Sequence, residues 1–176
     1  MKTDSWIPER QIRLSPVTPA DEGFLFRVYA STRAEEMTLV PWTDEQKQAF
    51  LWQQFTAQRQ HYLTYYPQAE YYLLCRAEVA LGRLILNYAE QQLVVIDIAL
   101  LPEFRNTGLG TAILNKLMED ARQKGLSIVL RVEFFNPALR LYTRLGFVKT
   151  REVNSVYYEL VWTPVAPQVT SIPGLD

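Results

Sequence analysis

The sequence predicts an α/β domain, one mixed sheet with helices packed on both faces. Three observations carry that expectation. Leu93–Leu101 (LVVIDIALL) is apolar at every position but Asp97, as a strand buried on both faces must be. Behind it, Leu109, Ile113, Leu117 and Ala121 recur every four residues, with Ala112 and Met118 beside them, so one helix face is apolar. Around that pair the other segments read as strand, two helices and two strands before it, and strand, helix and two strands after it.

Each element has its own signal. Gln11–Val17 alternates polar and apolar residues, as a half-buried strand does. Thr18-Pro19-Ala20-Asp21 supplies a capping residue, a proline at the first helical position and an acid three residues on, and Phe24, Leu25, Val28 and Tyr29 give that helix its apolar face. A polar gap runs from Ser31 to Pro41. Thr43-Asp44-Glu45-Gln46 is a second capping box, opening a longer helix that must end by Pro67 and that carries Leu51, Phe55 and Tyr62 on one face. Tyr71–Cys75 and Leu81–Tyr88 read as strands about a polar turn at Arg76–Glu78. After the Leu93–Leu101 strand and its helix, Gly125 suits the left-handed residue beyond a helix end. Ser127–Val132 is another buried strand. Asn136-Pro137 starts a short helix with Ala138, Leu141, Tyr142 and Leu145 on one face, ended by Gly146. Phe147–Arg151 and Val156–Trp162 form a hairpin around Asn154-Ser155.

Length and composition bound the function. A chain of 176 residues, 48% hydrophobic, suits a single domain, expected over residues 1–163 with a loosely ordered tail at 164–176 that carries prolines. The formal net charge is −1 with both signs interspersed, so neither a nucleic-acid nor a membrane-surface partner is expected. Met1-Lys2-Thr3-Asp4-Ser5 lacks the apolar run of a signal peptide and no 18-residue apolar span occurs, so a cytoplasmic enzyme is expected. Cys75, the only cysteine, lies in an apolar run and reads as a buried, inert thiol. One histidine, His61, excludes a multi-histidine zinc site, and no metal is expected. No Gly-x-Ser-x-Gly supports a serine triad. His61 stands among polar and aromatic residues, on the surface or at the substrate side.

The strand–loop–helix unit has a chemical use. The first turn of a helix leaves backbone N–H groups unpartnered at the positive end of the peptide dipoles. Gly108 and Gly110 have no Cβ, so an anion can come close to the amides of Asn106, Thr107, Gly108, Leu109, Gly110 and Thr111, and Arg105 adds a fixed positive charge. A phosphate, or better a pyrophosphate, is the ligand such a site takes. Thr111-Ala112 stands where a P-loop needs Lys-Ser/Thr, and Ile113 stands where a dinucleotide fingerprint needs a third glycine or alanine. What remains is Arg105-x-x-Gly108-x-Gly110 after a strand ending Leu-Leu-Pro-Glu-Phe. This resembles the acetyl-CoA-binding motif of the GNAT N-acetyltransferases, specifically from about Leu93 to Phe147.

A second segment supports the resemblance. Leu141-Tyr142 and Gly146-Phe147 fit the family's Asn-x-x-Ala-x-x-Leu-Tyr-x-x-x-Gly-Phe pattern, whereas Ala138 follows Asn136 one residue too soon. The resemblance implies a central mixed, mostly antiparallel sheet of about seven strands with helices on both faces, splayed at the cofactor cleft. It implies acetyl-CoA as cosubstrate and an amine acceptor as partner, and it leaves room for a homodimer. The pantetheine arm would pair with backbone at Ile98, Ala99 and Leu100, and the thioester would lie near Tyr142, the family's thiolate-facing tyrosine; packing in the core is the other reading of Tyr142. Asn136 either contacts the arm or caps its helix. Asp97 is either the base that deprotonates the amine or a structural carboxylate, because an unpaired acid in a buried strand costs several kcal/mol. In the family the acceptor is shaped by the segment between the first two helices and by the last hairpin, which here hold Arg33, Glu35, Glu36, Trp42, Asn154 and Tyr157. The expected activity is N-acetyl transfer by direct attack; a CoA-binding domain without turnover is the alternative.

Overall fold

A computed structural model describes residues 5–164, so the expectation for the tail falls outside the described residues except at Pro164. Seven strands form one sheet: β1 Ile12–Pro16, β2 Glu70–Arg76, β3 Val79–Tyr88, β4 Gln92–Leu100, β5 Ser127–Glu133, β6 Val148–Val153 and β7 Tyr157–Trp162. Their spatial order is β1-β2-β3-β4-β5-β7-β6. Every neighbouring pair is antiparallel except β4 and β5. The sheet is therefore mixed and mostly antiparallel, as expected.

Helices cover both faces. On one lie α1 Glu22–Thr32 and α3 Asp44–Tyr65, which bury Leu25, Tyr29, Leu51 and Phe55 against Leu73 and Cys75. On the other, α4 Leu109–Gln123 buries Leu109, Ile113, Leu114, Leu117 and Ala121 among Leu74, Leu84, Leu93, Val95 and Ile128. That is the apolar stripe read from the sequence. Both capping boxes form, Thr18 with Asp21 and Thr43 with Gln46. The Thr18 box first closes a 3-10 turn at Pro19–Asp21, and the α-helix follows it. The polar gap holds a short helix, α2 Ala34–Thr38, because Met37 has an apolar cluster to pack against. The last short helix, α5, spans Leu139–Arg144, three residues later than Asn136. Asn136 and Pro137 instead form the turn leading into it, with the Leu139 N–H donating to the Asn136 carbonyl. Gly125 takes φ 68° beyond α4, and Asn154 and Ser155 take φ 52° and 53° in the tight turn between β6 and β7.

Two features of β4 position everything that follows. It pairs with β5 only along Gln92–Val95, against Ser127–Leu130, and the two strands then part. At the parting, the register with β3 slips: Leu86 opposes Val95 and Ile85 opposes Asp97, leaving Ile96 as a bulge. A bulge bends its strand and advances the side-chain alternation by one. Leu93 and Val95 accordingly pack on the α4 side, while Ala99 packs against Val28 of α1. Asp97 moves to the α1/α3 face with Ala99. Without the slip its carboxylate would point into the α4 core.

β3 and β4 approach closely just beyond the bulge. A Cβ at Gly82 would lie 2.2 Å from the Ala99 carbonyl oxygen and 2.9 Å from Leu100 Cα. Backbone cannot yield as a flexible side chain can, so Gly82→Ala should lower stability by about 1–3 kcal/mol, the usual range for overpacking. A urea denaturation midpoint equal to that of the parent would show that the strands part freely there.

Candidate functional site

The wedge between β4 and β5 is the centre of the site, with β4 as one wall. The Leu101 N–H donates to the Leu81 carbonyl, and Ala99 stands opposite Arg83 in the same ladder. Alternation then directs Ala99's main-chain groups to β3 and those of Ile98 and Leu100 to the cleft. Of the three residues singled out for main-chain pairing, Ile98 and Leu100 thus face the right way and Ala99 does not. The Leu100 carbonyl is also engaged, accepting from Arg105 Nε at 2.8 Å.

The glycine loop forms the head of the cleft. Asn106 and Gly108 take positive φ, 59° and 80°, and Gly108 is the residue before α4. No side chain caps that helix, and the first bond inside it runs from the Ala112 N–H to the Gly108 carbonyl. The amides of Leu109, Gly110 and Thr111 are therefore the free N–H groups of the first turn. Leu109 contributes only its amide, since its side chain is in the core. Thr107 turns its hydroxyl back to the Phe104 carbonyl.

Arg105 is arranged differently from the expectation. Besides Leu100, its guanidinium donates to the Ser31 hydroxyl at 2.8 Å, tying the loop to β4 and α1. The cations beside the first turn are two that the sequence reading did not single out. Arg10 lies against the glycine, its Nη2 3.5 Å from where a Gly108 Cβ would be. Arg144 of α5 donates to the Thr111 hydroxyl at 3.4 Å. Arg10 is held there by its neighbours: Ile7 is buried in the core, and the Trp6 indole donates to Asp120 of α4 at 3.1 Å. Nearly a hundred residues separate Arg10 from Gly108, and no spacing rule connects them.

Tyr142 is almost fully buried and stacks edge-on to Phe147, with ring centroids 5.8 Å apart. Burial, and then the charge of Asp97, push its phenol up to about 12. It therefore keeps its proton at neutral pH and is available as a donor. Asn136 is exposed, and its side-chain oxygen accepts from the Ala138 N–H at 2.9 Å, a local turn ahead of α5, whose own capping position is Ala138 and carries no side-chain cap.

Asp97 meets a buried partner. Arg83 Nη2 donates to its carboxylate and also to Gln58 Oε1, and Arg83 itself is only 4% exposed. A base at this position would have to give up that ion pair on taking a proton. Tyr62 stands over the same pair, its phenol raised by burial and by Asp97.

The expected acceptor segments converge on a residue that the sequence reading did not mention. Arg33 donates to Glu133 Oε1 at 3.0 Å and to Glu36 at 2.9 Å, and the Tyr157 hydroxyl reaches the same Glu133 oxygen at 3.5 Å. Glu133 ends β5, where that strand has parted from β4. Glu35 is exposed, Trp42 packs on Phe50, and Asn154 sits in the hairpin turn. His61 is exposed against Tyr65, and Cys75 is buried with its thiol pushed up by burial. Among the described residues no cluster of three or more His, Cys, Asp or Glu could hold a metal, and no helix is long and apolar enough to cross a membrane.

A parted sheet whose free strand edge leads to a glycine-capped helix is the arrangement that the resemblance to the GNAT acetyltransferases leads us to expect. The chain belongs to the GNAT acetyltransferase family, whose profile matches residues 26–147. Among solved structures it is similar to the PaiA N-acetyltransferase of Thermoplasma acidophilum in complex with coenzyme A (TM-score 0.64, 14% identity, covering 86% of this chain and 98% of that one). It is also similar to the spermidine N-acetyltransferase of Vibrio cholerae in complex with CoA and spermine (0.60, 17%, 87% and 95%). The ribosomal-protein-S18-alanine N-acetyltransferase of Escherichia coli is a third (0.60, 16%, 90% and 97%). At these identities the likeness is one of fold. No curated protein matches by sequence.

Removing one partner of a buried pair leaves the other charge uncompensated. Asp97→Asn should therefore lower stability by about 3–5 kcal/mol, and replacing Arg83 and Asp97 together by leucine should recover most of that loss. Chemical denaturation of the three proteins measures it. A stable Asp97→Asn protein whose kcat falls roughly 10²–10⁴-fold would instead make the carboxylate a base.

Proposed function

We propose that the protein transfers an acetyl group from acetyl-CoA to a primary amine of a small molecule or peptide, by direct attack of the amine on the thioester. The observation that carries this reading is the alignment of the unpaired β4 edge at Ile98 and Leu100 with the free amides of Leu109, Gly110 and Thr111. An extended arm bearing a pyrophosphate fits that layout. The amides and Arg10 would hold the phosphates, and the main chain of Ile98 with the Leu100 N–H would hold the arm as a partial strand. Arg105 would act at one remove, fixing the loop to β4.

In the transfer, the amine nitrogen bonds to the carbonyl carbon, the carbon–sulfur bond breaks, and the sulfur leaves with the electron pair. Tyr142 would hand its phenolic proton to that sulfur. The amine must shed a proton, and Asp97 can take it only by loosening its hold on Arg83, so water in the cleft is the more direct outlet. A specific observation also favours a second reading, a CoA-binding domain without turnover: Asp97 and Glu133, the acids beside the wedge, are both engaged by arginines. Incubation with acetyl-CoA and a panel of polyamines, amino acids, aminoglycosides, arylamines and peptide N-termini, scored by free CoA, separates the two. Amine-dependent CoA release establishes the enzyme; CoA binding without release establishes the domain.

Two variants test the parts. A Cβ at Gly110 would meet only Leu141 Cδ2 at 3.5 Å, so the fold should accept Gly110→Val while the added methyls crowd the amides. Acetyl-CoA affinity should fall about 10- to 100-fold, the worth of one charge-assisted hydrogen bond. Unchanged affinity by calorimetric titration would remove this loop from the site.

Tyr142→Phe keeps the ring and removes the proton. We expect acetyl-CoA affinity close to the parent's and a kcat lower by roughly 10–10³-fold, a modest effect because a thiolate is already a fair leaving group. Because the folded-state phenol is raised from 10.0 to about 12, its contribution to stability is complete below pH 10 and is lost as pH rises through the higher value. The Phe variant should lack that alkaline decline. Parental kcat in the variant would make Tyr142 a packing residue.

A further inference from the structure

A cavity of about 210 Å³ lies between α3 and the sheet, one strand away from the transfer wedge. Leu25 and Phe55 wall it, Gln58 and Arg83 close its inner end, Tyr71 lies on its floor and Leu63 stands at its rim. Two polar groups among these residues are left without partners. Arg83 spends Nη2 on Asp97 and Gln58, but its Nε–H is buried and makes no hydrogen bond. The Tyr71 hydroxyl is likewise buried and unpartnered. No protein group pairs with either, and leaving such a group unmet costs about 1–3 kcal/mol each, so a ligand that meets them gains by binding in this cavity.

We propose that this cavity is a small-molecule site, distinct from the wedge, for a compact ligand with an apolar body and a carbonyl or carboxylate oxygen. The chemistry follows from the two orphans. The Arg83 Nε–H can only donate, so the ligand must bring acceptor oxygen, and the Tyr71 hydroxyl, which can donate or accept, can donate to that same group. An ammonium group brings only donors and leaves the Arg83 Nε–H unmet. Leu25 and Phe55 accept an apolar body. The volume exceeds the roughly 150 Å³ that suffices for benzene in an apolar protein cavity. Asp97 already neutralises Arg83, so a neutral amide satisfies the site as a carboxylate does. The ligand would touch the arginine that holds Asp97, which places it one side chain from the transfer wedge.

The test is ligand-observed NMR on the full chain with benzoate, benzamide and benzylamine, with and without saturating CoA. Benzoate or benzamide should bind, benzylamine should not, and CoA should not displace them. Tyr71→Phe removes a hydroxyl that has no partner, so the protein should be at least as stable, while affinity for the bound probe falls about tenfold. Leu63→Trp puts an indole at the rim, where Leu63 is 48% exposed, and should abolish binding. Should that variant fail to fold, Tyr71→Phe still decides. Failure of both oxygen-bearing probes to bind, preference for benzylamine, or undiminished binding to Tyr71→Phe each overturns the proposal. The readout is binding alone, so it stands or falls separately from acetyl transfer.

Discussion

The structure depends on how β4 leaves β5. The two strands share four paired residues on each side and then diverge, and the bulge at Ile96 sits at the point of divergence. One extra residue has three consequences. It bends β4 away from its parallel neighbour, so a main-chain edge lies open at Ile98 and Leu100. It reverses the alternation, so Asp97 meets Arg83 under α3 and does not enter the α4 core. It also sets the direction of the strand end, from which Pro102 and the glycine loop carry the chain to the start of α4. A ladder that stayed in register would have no cleft, and would carry an acid among leucines.

The charges around the wedge are arranged as pairs. Arg83 with Asp97 and Arg33 with Glu133 set one ion pair on each wall, the first buried and the second at the mouth. Such pairs add little to stability when exposed, and when buried they mostly offset their own desolvation. Their effect is positional. Arg33 ties the short helix region to β5, and Arg83 ties α3, through Gln58, to β4. Tyr142 completes the set as a phenol whose pKa is raised by its burial and then by the nearby Asp97 carboxylate.

The start of α4 is built by contrast from groups that remain free. The first-turn amides of α4 have no side-chain cap, and Arg10 and Arg144 approach them from opposite ends of the chain. Arg105, the arginine of the sequence motif, is spent on Leu100 and Ser31. An arginine beside a glycine loop in sequence can thus serve as a structural tie.

Much of this protein was legible in the sequence by itself. Local patterning determined the strands, the two capped helices and the α4 stripe, because hydrophobic period and caps act over a few residues. Gly125 was readable as a left-handed position because that backbone state selects glycine locally. The motif around Gly108 and Gly110 likewise determined the family. Tertiary structure alone decided the rest. The Ile96 bulge has no local sequence mark, since it arises from the pairing of β4 with β3. The partners of Asp97, Arg105 and Glu133 lie 14, 74 and 100 residues away, and Arg10 reaches Gly108 across most of the chain. A side chain's chemistry is written in its residue type; what it does with that chemistry depends on which distant groups the packed sheet brings within bonding distance.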